Sequence, residues 1–274
     1  MKQAFYGAVE QTRAEDDIAL HAEEIARQGY SIVPDLFSAE QLVQWREKID
    51  HAYSQQEEEF GRAALADIQE LDVCRAPLLY DFSFTAMAAH EKILAVMQRI
   101  LGDWVILNLQ NAVINRPATP HHQSAWHRDL PHQNFVISRP IALNALIAID
   151  DFSSETGGTH ILPFSHKNET LPSNAYIARN EMVCAMKAGS AVLFDAMIFH
   201  RAGANSSGGV RRAVNHLYTA PIIKQQYDFP RALGQHPDMT PAMAQLLGYT
   251  AQVPLNVVEW RRARAARKSG EGAA

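Results

Sequence analysis

Cysteine is scarce in this chain: among 274 residues only Cys74 and Cys184 occur. Neither belongs to a C-x-x-C pair, which argues against both a disulfide framework and a thiolate zinc site. No apolar run approaches the ~18 residues of a membrane-spanning helix. The opening MKQAFYGAVEQTRAEDD has no hydrophobic centre of the kind a secretory signal carries. These absences lead us to expect a cytoplasmic protein with no membrane partner. An excess of positive charge is missing too. The formal net charge is −5 at pH 7, so the surface is not built to neutralise phosphate backbones, and no nucleic-acid partner is expected. The exception is the final WRRARAARKSGEGAA, with Arg261, Arg262, Arg264, Arg267 and Lys268. It reads as a solvated C-terminus rather than a nucleic-acid-binding arm. Internal repeats and linkers are also absent.

What is present is ordinary globular composition, 47% hydrophobic and 20% charged. The first hundred residues read as helical. Residues 13–29 carry Ile18, Ala22 and Ile25 at helical spacing, with Gly29 placed to end the helix. YSIVPDLF is a short strand stopped at Pro34. Ser38 and Gln41 form a capping-box pattern before a helix whose apolar face is Leu42, Val43, Trp45 and Ile49. FTAMAAHEKILAVMQRILG is a third helix ending at Gly102. The texture then becomes β-rich in WVILNLQNAVINRP, SRPIALNALIAIDDF, GGTHILPFSH, GSAVLFDAMIFHRAG and RRAVNHLYTAPII. Turn signals and no intervening helices favour an antiparallel sandwich or barrel. Residues 240–249 return to helix. We expect a mainly β chain with a helical N-terminal layer. It forms one domain: a helical flank over about 1–102, a β core over 103–223 and a C-terminal extension over 224–274. A monomer or homodimer is expected.

The chemistry-bearing stretch is SAWHRDLPHQ, residues 124–133. On a strand, His127 and Asp129 point to one face. His200, at the end of the apolar run GSAVLFDAMIFH, is the best third ligand. Two histidines and one carboxylate form a facial triad with open coordination positions, as in non-haem Fe(II) oxygenases. Chance is the competitor, because twelve histidines supply many pairings; His121, His122 and His132 lie close by. Arg211 follows His200 by eleven residues across a Gly/Ser/Asn-rich turn. A hairpin would bring it back beside His200. A buried arginine in a metal pocket needs an anion, and a dicarboxylate co-substrate could supply one. Alternatively, Arg211 and Arg212 are a basic strand start bound to surface acids. Parity alone does not choose between them.

Taken in order, these pieces resemble the phytanoyl-CoA dioxygenase-like family of Fe(II)/2-oxoglutarate-dependent oxygenases. The resemblance runs from GYSIVPDLFSAEQL through HRD and GGTHILPFSHK to DAMIFHRAG and the arginine pair, roughly residues 28–221. It implies a double-stranded β-helix, or jelly-roll. It implies Fe(II) at His127, Asp129 and His200, and 2-oxoglutarate with its distal carboxylate on Arg211, since the family's eleven-residue step selects Arg211 over Arg212. Gln110 and Asn144 stand where relatives often have residues lining the co-substrate pocket; a structural hydrogen bond is the other reading of each. Phe164 departs from the glycine common before S-H-K, which alters the turn. Ser165 and His166 read as loop structure.

The implied reaction uses O2 and 2-oxoglutarate and releases succinate and CO2. Halogenases on this scaffold replace the carboxylate with a small residue, and this chain keeps Asp129. Hydroxylation of a small-molecule metabolite or natural-product intermediate is therefore the expected outcome. Desaturation, epoxidation and cyclisation are alternatives on the same scaffold. A cupin-like metal enzyme without 2-oxoglutarate would leave Arg211 partnerless, and a non-catalytic jelly-roll module would have no use for the ligand set. Around the substrate, Arg128, His132, Gln133 and Arg139 could meet an anionic or amide group, or be solvated loop residues. A small polar metabolite or a natural-product intermediate is expected. No basic cluster suits a CoA phosphate tail.

Overall fold

The computed structural model describes residues 11–119, 122–130 and 136–269, the side chains of residues 122, 267 and 269 aside. His121, His132 and Gln133 lie outside the described residues. The first helix, α1 (Asp17–Gln28), is N-capped by Asp16, whose carboxylate accepts from Ala19 N–H at 2.7 Å, and ends at Gly29 with φ +94°. Positive φ suits glycine. A Cβ at Gly29 would also meet His166 Nδ1 at 2.6 Å. Strand β1 (Tyr30–Val33) follows, then α2 (Ala39–Phe60), which opens on the expected Ser38/Gln41 capping box. Next come α3 (Arg62–Asp67) and β2 (Val73–Arg75). The single helix expected after Phe84 is two: α4 (Phe84–Ala88) and α5 (Glu91–Leu101). The break falls at His90, whose ring bonds the Leu36 carbonyl at 3.1 Å and meets Phe37 edge-on.

The β half contains β3 (Ile106–Asn115), β4 (Ala142–Ala148), β5 (His160–Ile161), β6 (Met182–Val183), β7 (Ala191–Asp195), β8 (His200–Arg201) and β9 (Arg211–Thr219), with α6 (Asn174–Asn180) before β6. One sheet has the order β1-β7-β4-β9-β3-β2 and a second the order β6-β5-β8, every described pairing antiparallel. The chain closes with α7 (Phe229–Leu233), α8 (Pro241–Leu246) and α9 (Val257–Ser269), so the basic tail is helical within the described residues.

The expected mainly β chain needs correction. Helix takes 39% and strand 19% of the described residues, a mixed architecture. Strands β5, β6 and β8 have only two residues each, and α2 alone spans 22. The large sheet's period of two sorts its residues cleanly. Ala112, Leu143, Leu193, Val214 and Tyr218 face a core shared with Ile25, Ile49, Phe84, Val96 and Leu247 from the helices. Leu146, Val192, Phe194 and Ala213 face the other way, toward Ile161 of the small sheet. The candidate site lies on this inner face. No described helix is long and apolar enough to cross a membrane.

Candidate metal centre

His127 and His200 are cross-strand partners in an isolated antiparallel bridge. They exchange both backbone hydrogen bonds: His127 N–H donates to His200 C=O at 3.0 Å, and His200 N–H returns one at 3.1 Å. Asp129 N–H then donates to Ala196 C=O at 3.1 Å. The two stretches are thus held backbone to backbone. His127, Asp129 and His200 each offer a ligand atom, all within 4.8 Å of one another. Asp129 Oδ1 lies 3.7 Å from His127 Nε2 and 3.5 Å from His200 Nε2.

Each histidine is oriented from behind. His127 Nδ1 lies 2.8 Å from the Ala125 carbonyl, and His200 Nδ1 lies 3.1 Å from that of Ile198. A carbonyl only accepts, so Nδ1 carries a proton and donates it, which leaves Nε2 as the atom facing Asp129. The other carboxylate oxygen, Asp129 Oδ2, accepts from Asn144 Nδ2 at 2.6 Å and from Asn215 Nδ2 at 3.0 Å. Asn144 also donates to Asn215 Oδ1 at 3.0 Å, joining the two amides. Burial alone would push the Asp129 carboxyl up. His200, His127 and the Asn215 amide outweigh burial and hold it well below the usual carboxylate range. Burial likewise pulls the His200 imidazole down, but Asp129 prevails and holds it above its ordinary value. Asp129 therefore stays ionised, the state a metal ligand requires.

The three residues line a cavity of about 500 Å3, mouth included, together with Asn111, Asn215, Phe194 and Arg211. Arg211 is 2% exposed. Its Nη2 donates to the Gly157 carbonyl at 2.6 Å and its guanidinium lies 4.7 Å from the Phe152 ring centre. Its Nε is buried without a partner, and no carboxylate among the described residues reaches ion-pair distance. Burial lowers the guanidinium to about 10. Arg212 points to the opposite face, where it grips Asp50 of α2 at 2.7 and 2.8 Å and Asp150 at 3.3 Å. Strand parity, which the hydrophobic pattern left open, thus puts the two arginines on opposite faces.

Gln110 is not brought to the cavity. Its amide faces the helical layer, accepts from Leu78 N–H at 3.1 Å, donates to Phe84 C=O at 3.0 Å and meets His216 Nε2 at 2.9 Å. The reason is parity: Asn111 and Val113 are the β3 residues on the inner face. Asn144 does reach the centre, through Asp129. Arg128 faces away from the cavity. Its guanidinium donates to the backbone carbonyls of Met197, Glu169, Ser165 and Asn168 and stacks 3.9 Å from the Phe199 ring. It ties the loop around Ser165 to the turn before His200. Arg139 donates to Ile100 C=O at 3.1 Å. Phe164 adopts φ +66°, the left-handed conformation that glycine takes at no steric cost. Ser165 Oγ accepts from Phe199 N–H at 2.8 Å, a structural role. Sequence reasoning missed Asn215, Asn111 and Gly157. Asn215 stands four residues after Arg211 and on the same strand face, which is the signal that could have found it.

Comparison with known proteins agrees with this centre. The family model for phytanoyl-CoA dioxygenase (PhyH) matches residues 25–213. The uncharacterised protein Rv1501 of Mycobacterium tuberculosis is 35% identical over 243 residues, 85% of this chain and 87% of that protein. Dioxygenase hkm4 of Aspergillus hancockii is 26% identical over 73% of this chain and 63% of its own. Among solved structures, EctD from S. alaskensis with bound Fe superposes with a TM-score of 0.63 at 19% identity, covering 78% of this chain and 81% of EctD. The 2-oxoglutarate-dependent epimerase SnoN from nogalamycin biosynthesis gives 0.58 at 19% identity, covering 74% and 83%. The chain belongs to the phytanoyl-CoA dioxygenase (PhyH) family and is an oxidoreductase, a dioxygenase that uses iron and 2-oxoglutarate.

Proposed function

We propose that this dioxygenase hydroxylates an unactivated C–H bond of a small-molecule metabolite or natural-product intermediate, with release of succinate and CO2. His127, Asp129 and His200 hold Fe(II), and Arg211 takes the distal carboxylate of 2-oxoglutarate. The observation that carries this reading is Arg211: a guanidinium 2% exposed, with a buried Nε that has no acceptor among the described residues, on the cavity of the three ligands. A buried cation without an anion is costly, and a carboxylate bound bidentately removes that cost. Bound iron, with 2-oxoglutarate and O2, supplies the oxidising power. The protein's part is orientation. The Ala125 and Ile198 carbonyls aim both imidazoles, and Asn144 and Asn215 hold Asp129 Oδ2 so that Oδ1 faces the histidines. Phe152 and Gly157 fix Arg211. Retention of Asp129 supports hydroxylation over halogenation. We take the chain as one oxygenase domain in which the two antiparallel sheets form a jelly-roll flanked by helices.

Succinate formation tests this. With Fe(II), 2-oxoglutarate and O2, the protein is expected to release succinate slowly without substrate and faster with one. Arg211→Ala should weaken 2-oxoglutarate binding by roughly tenfold to a hundredfold, the worth of a charged hydrogen bond. Arg211→Lys should restore part of it. Asp129→Ala should cut Fe(II) affinity sharply. A protein showing neither Fe(II)-dependent 2-oxoglutarate binding nor succinate release would sink the proposal.

A further inference from the structure

The inner face continues past the metal ligands to the sheet edge. In register, Arg75 of the edge strand β2 pairs with Asn111, and Asn111 with Asn215. Cross-strand partners share a face, so Arg75 stands on the same side as the metal cavity. With its amide oriented to satisfy both ends, Asn111 accepts from Arg75 Nη1 at 2.9 Å. Asn215 donates to Asp129 Oδ2 at 3.0 Å. A row of polar side chains therefore leads from the carboxylate ligand outward to Arg75.

At Arg75 a second, open cleft of about 960 Å3, mouth included, begins. Its walls are mostly apolar or aromatic: Phe60, Leu65, Ile68, Tyr80 and Tyr227. Phe60 and Ile68 are 57% and 55% exposed, an unusual outlay of large apolar surface at one place. Tyr227 packs against the main core and belongs to two further environments. It lines the cleft, and it packs on the cluster of Leu109, Ala142, Ala196 and Leu217 against which Leu130, the residue after Asp129, also rests. The cleft wall is thus continuous with the apolar wall beside the metal ligand.

The charges in the cleft are already matched. Glu59 accepts from the Tyr80 hydroxyl at 2.7 Å. Glu70 holds the Arg75 guanidinium through Nε at 2.5 Å and through Nη2. Of the five N–H groups of Arg75, three are engaged and two have no acceptor among the described residues. An anion would gain one compensated arginine and meet two carboxylates; a neutral acceptor would gain the donors without that repulsion. Flat aromatic walls favour a flat apolar body.

We propose that this cleft seats the body of the substrate, a neutral, apolar, ring-bearing small molecule, and that Arg75 is the specificity-determining residue that donates to its carbonyl or hydroxyl group. This rests on the oxygenase reading above, and of the polar metabolite and the natural-product intermediate expected from sequence it favours the second, as a lipophilic molecule.

Nile red, a neutral planar dye with a carbonyl acceptor, is a direct probe. Titrated into the full chain, it should show saturable one-site binding with enhanced emission. Ile68→Glu should weaken that binding at least tenfold, and Arg75→Lys several-fold, with far-UV circular dichroism unchanged. Both Phe60 and Ile68 are exposed, so Phe60→Glu serves as a second variant that leaves the core intact. Val43→Glu, at an exposed apolar site outside the cleft, should change nothing. Progesterone, a neutral polycyclic ketone, should displace the dye, and palmitoyl-CoA at equal concentration should not. Binding indifferent to Ile68, Phe60 and Arg75, absence of saturable binding, or displacement by the acyl-CoA ahead of the ketone would overturn the assignment. Fe(II)-dependent 2-oxoglutarate binding, measured on the same wild-type sample, separates the two readings. Its absence removes the oxygenase proposal, while the dye data still judge the cleft.

Discussion

The carboxylate of Asp129 shows how much a single side chain depends on its neighbours. Its Oδ2 is fixed by two amides, Asn144 and Asn215, which leaves Oδ1 the oxygen facing both imidazoles. Partners behind a metal ligand are typically worth about tenfold to a hundredfold in metal affinity. Asn215→Ala should therefore weaken Fe(II) binding by that factor while the fold is retained, as read by competition with a chelator. Unchanged affinity would reduce Asn215 to a packing residue. Phe164 gives a contrasting case. It stands at φ +66° and 58% exposed, so it bears left-handed backbone and buries little. Relief of left-handed strain is worth about 1–2 kcal/mol and added glycine entropy costs about 0.5–1 kcal/mol. Phe164→Gly should leave the protein equally or slightly more stable in a denaturant titration. A clear loss of stability would mean that the ring makes a contact worth more than the strain.

At the scale of elements, strand parity decides which residues meet. His127, Asp129 and His200 were legible because ligand chemistry marks them and because an H-x-D pair shares a face. Pattern alone did not separate Arg211 from Arg212, since either register satisfies it; the family's eleven-residue step selected Arg211, and β9 places the two on opposite faces. For Gln110 sequence left two readings, the cavity and a structural hydrogen bond, for the same reason: a one-residue step on a strand exchanges the faces. Helix ends at Gly29 and the Ser38 cap were legible from local chemistry. The break at His90 was not, because its cause is a bond to Leu36, far away in sequence. Two loops also meet in a way that only tertiary structure reveals. Gly157 has φ +74°, and a Cβ there would lie 2.6 Å from both Asn115 Nδ2 and the Gly203 carbonyl. Its own carbonyl is the acceptor for Arg211. Gly157→Ala should cost about 1–3 kcal/mol from strain alone. It should also weaken 2-oxoglutarate binding by displacing Arg211. Loss of stability with binding intact would show that the arginine holds its place without Gly157.

Across the whole molecule, acid should be the effective denaturant. Burial lowers the His216 imidazole to about 3 and that of His166 to about 4, from an ordinary value of 6.5. Both are neutral in the fold and take up a proton more readily once unfolded. The stability they allow is full above about pH 6.5 and is lost as pH falls from there toward each folded value. For the fully buried His216 the loss approaches about 1.4 kcal/mol per pH unit. Denaturant midpoints should accordingly fall between pH 7 and pH 4, and His166→Gln should make that fall shallower. A slope identical to wild type would exclude His166 as a contributor.

The bridge between His127 and His200 has a mechanical side. These residues stand 73 positions apart in the chain and face each other across one pair of strands. An ion gripped by both imidazoles acts as a rivet through that seam, and only the folded chain aligns the holes. Affinity for the ion is then also resistance to unfolding, by about 2.7 kcal/mol when free metal stands at a hundred times its dissociation constant. Stripping the protein with a chelator should lower its melting temperature, and adding Fe(II) under anaerobic conditions should raise it again. In His200→Ala the same additions should leave the melting temperature where it was.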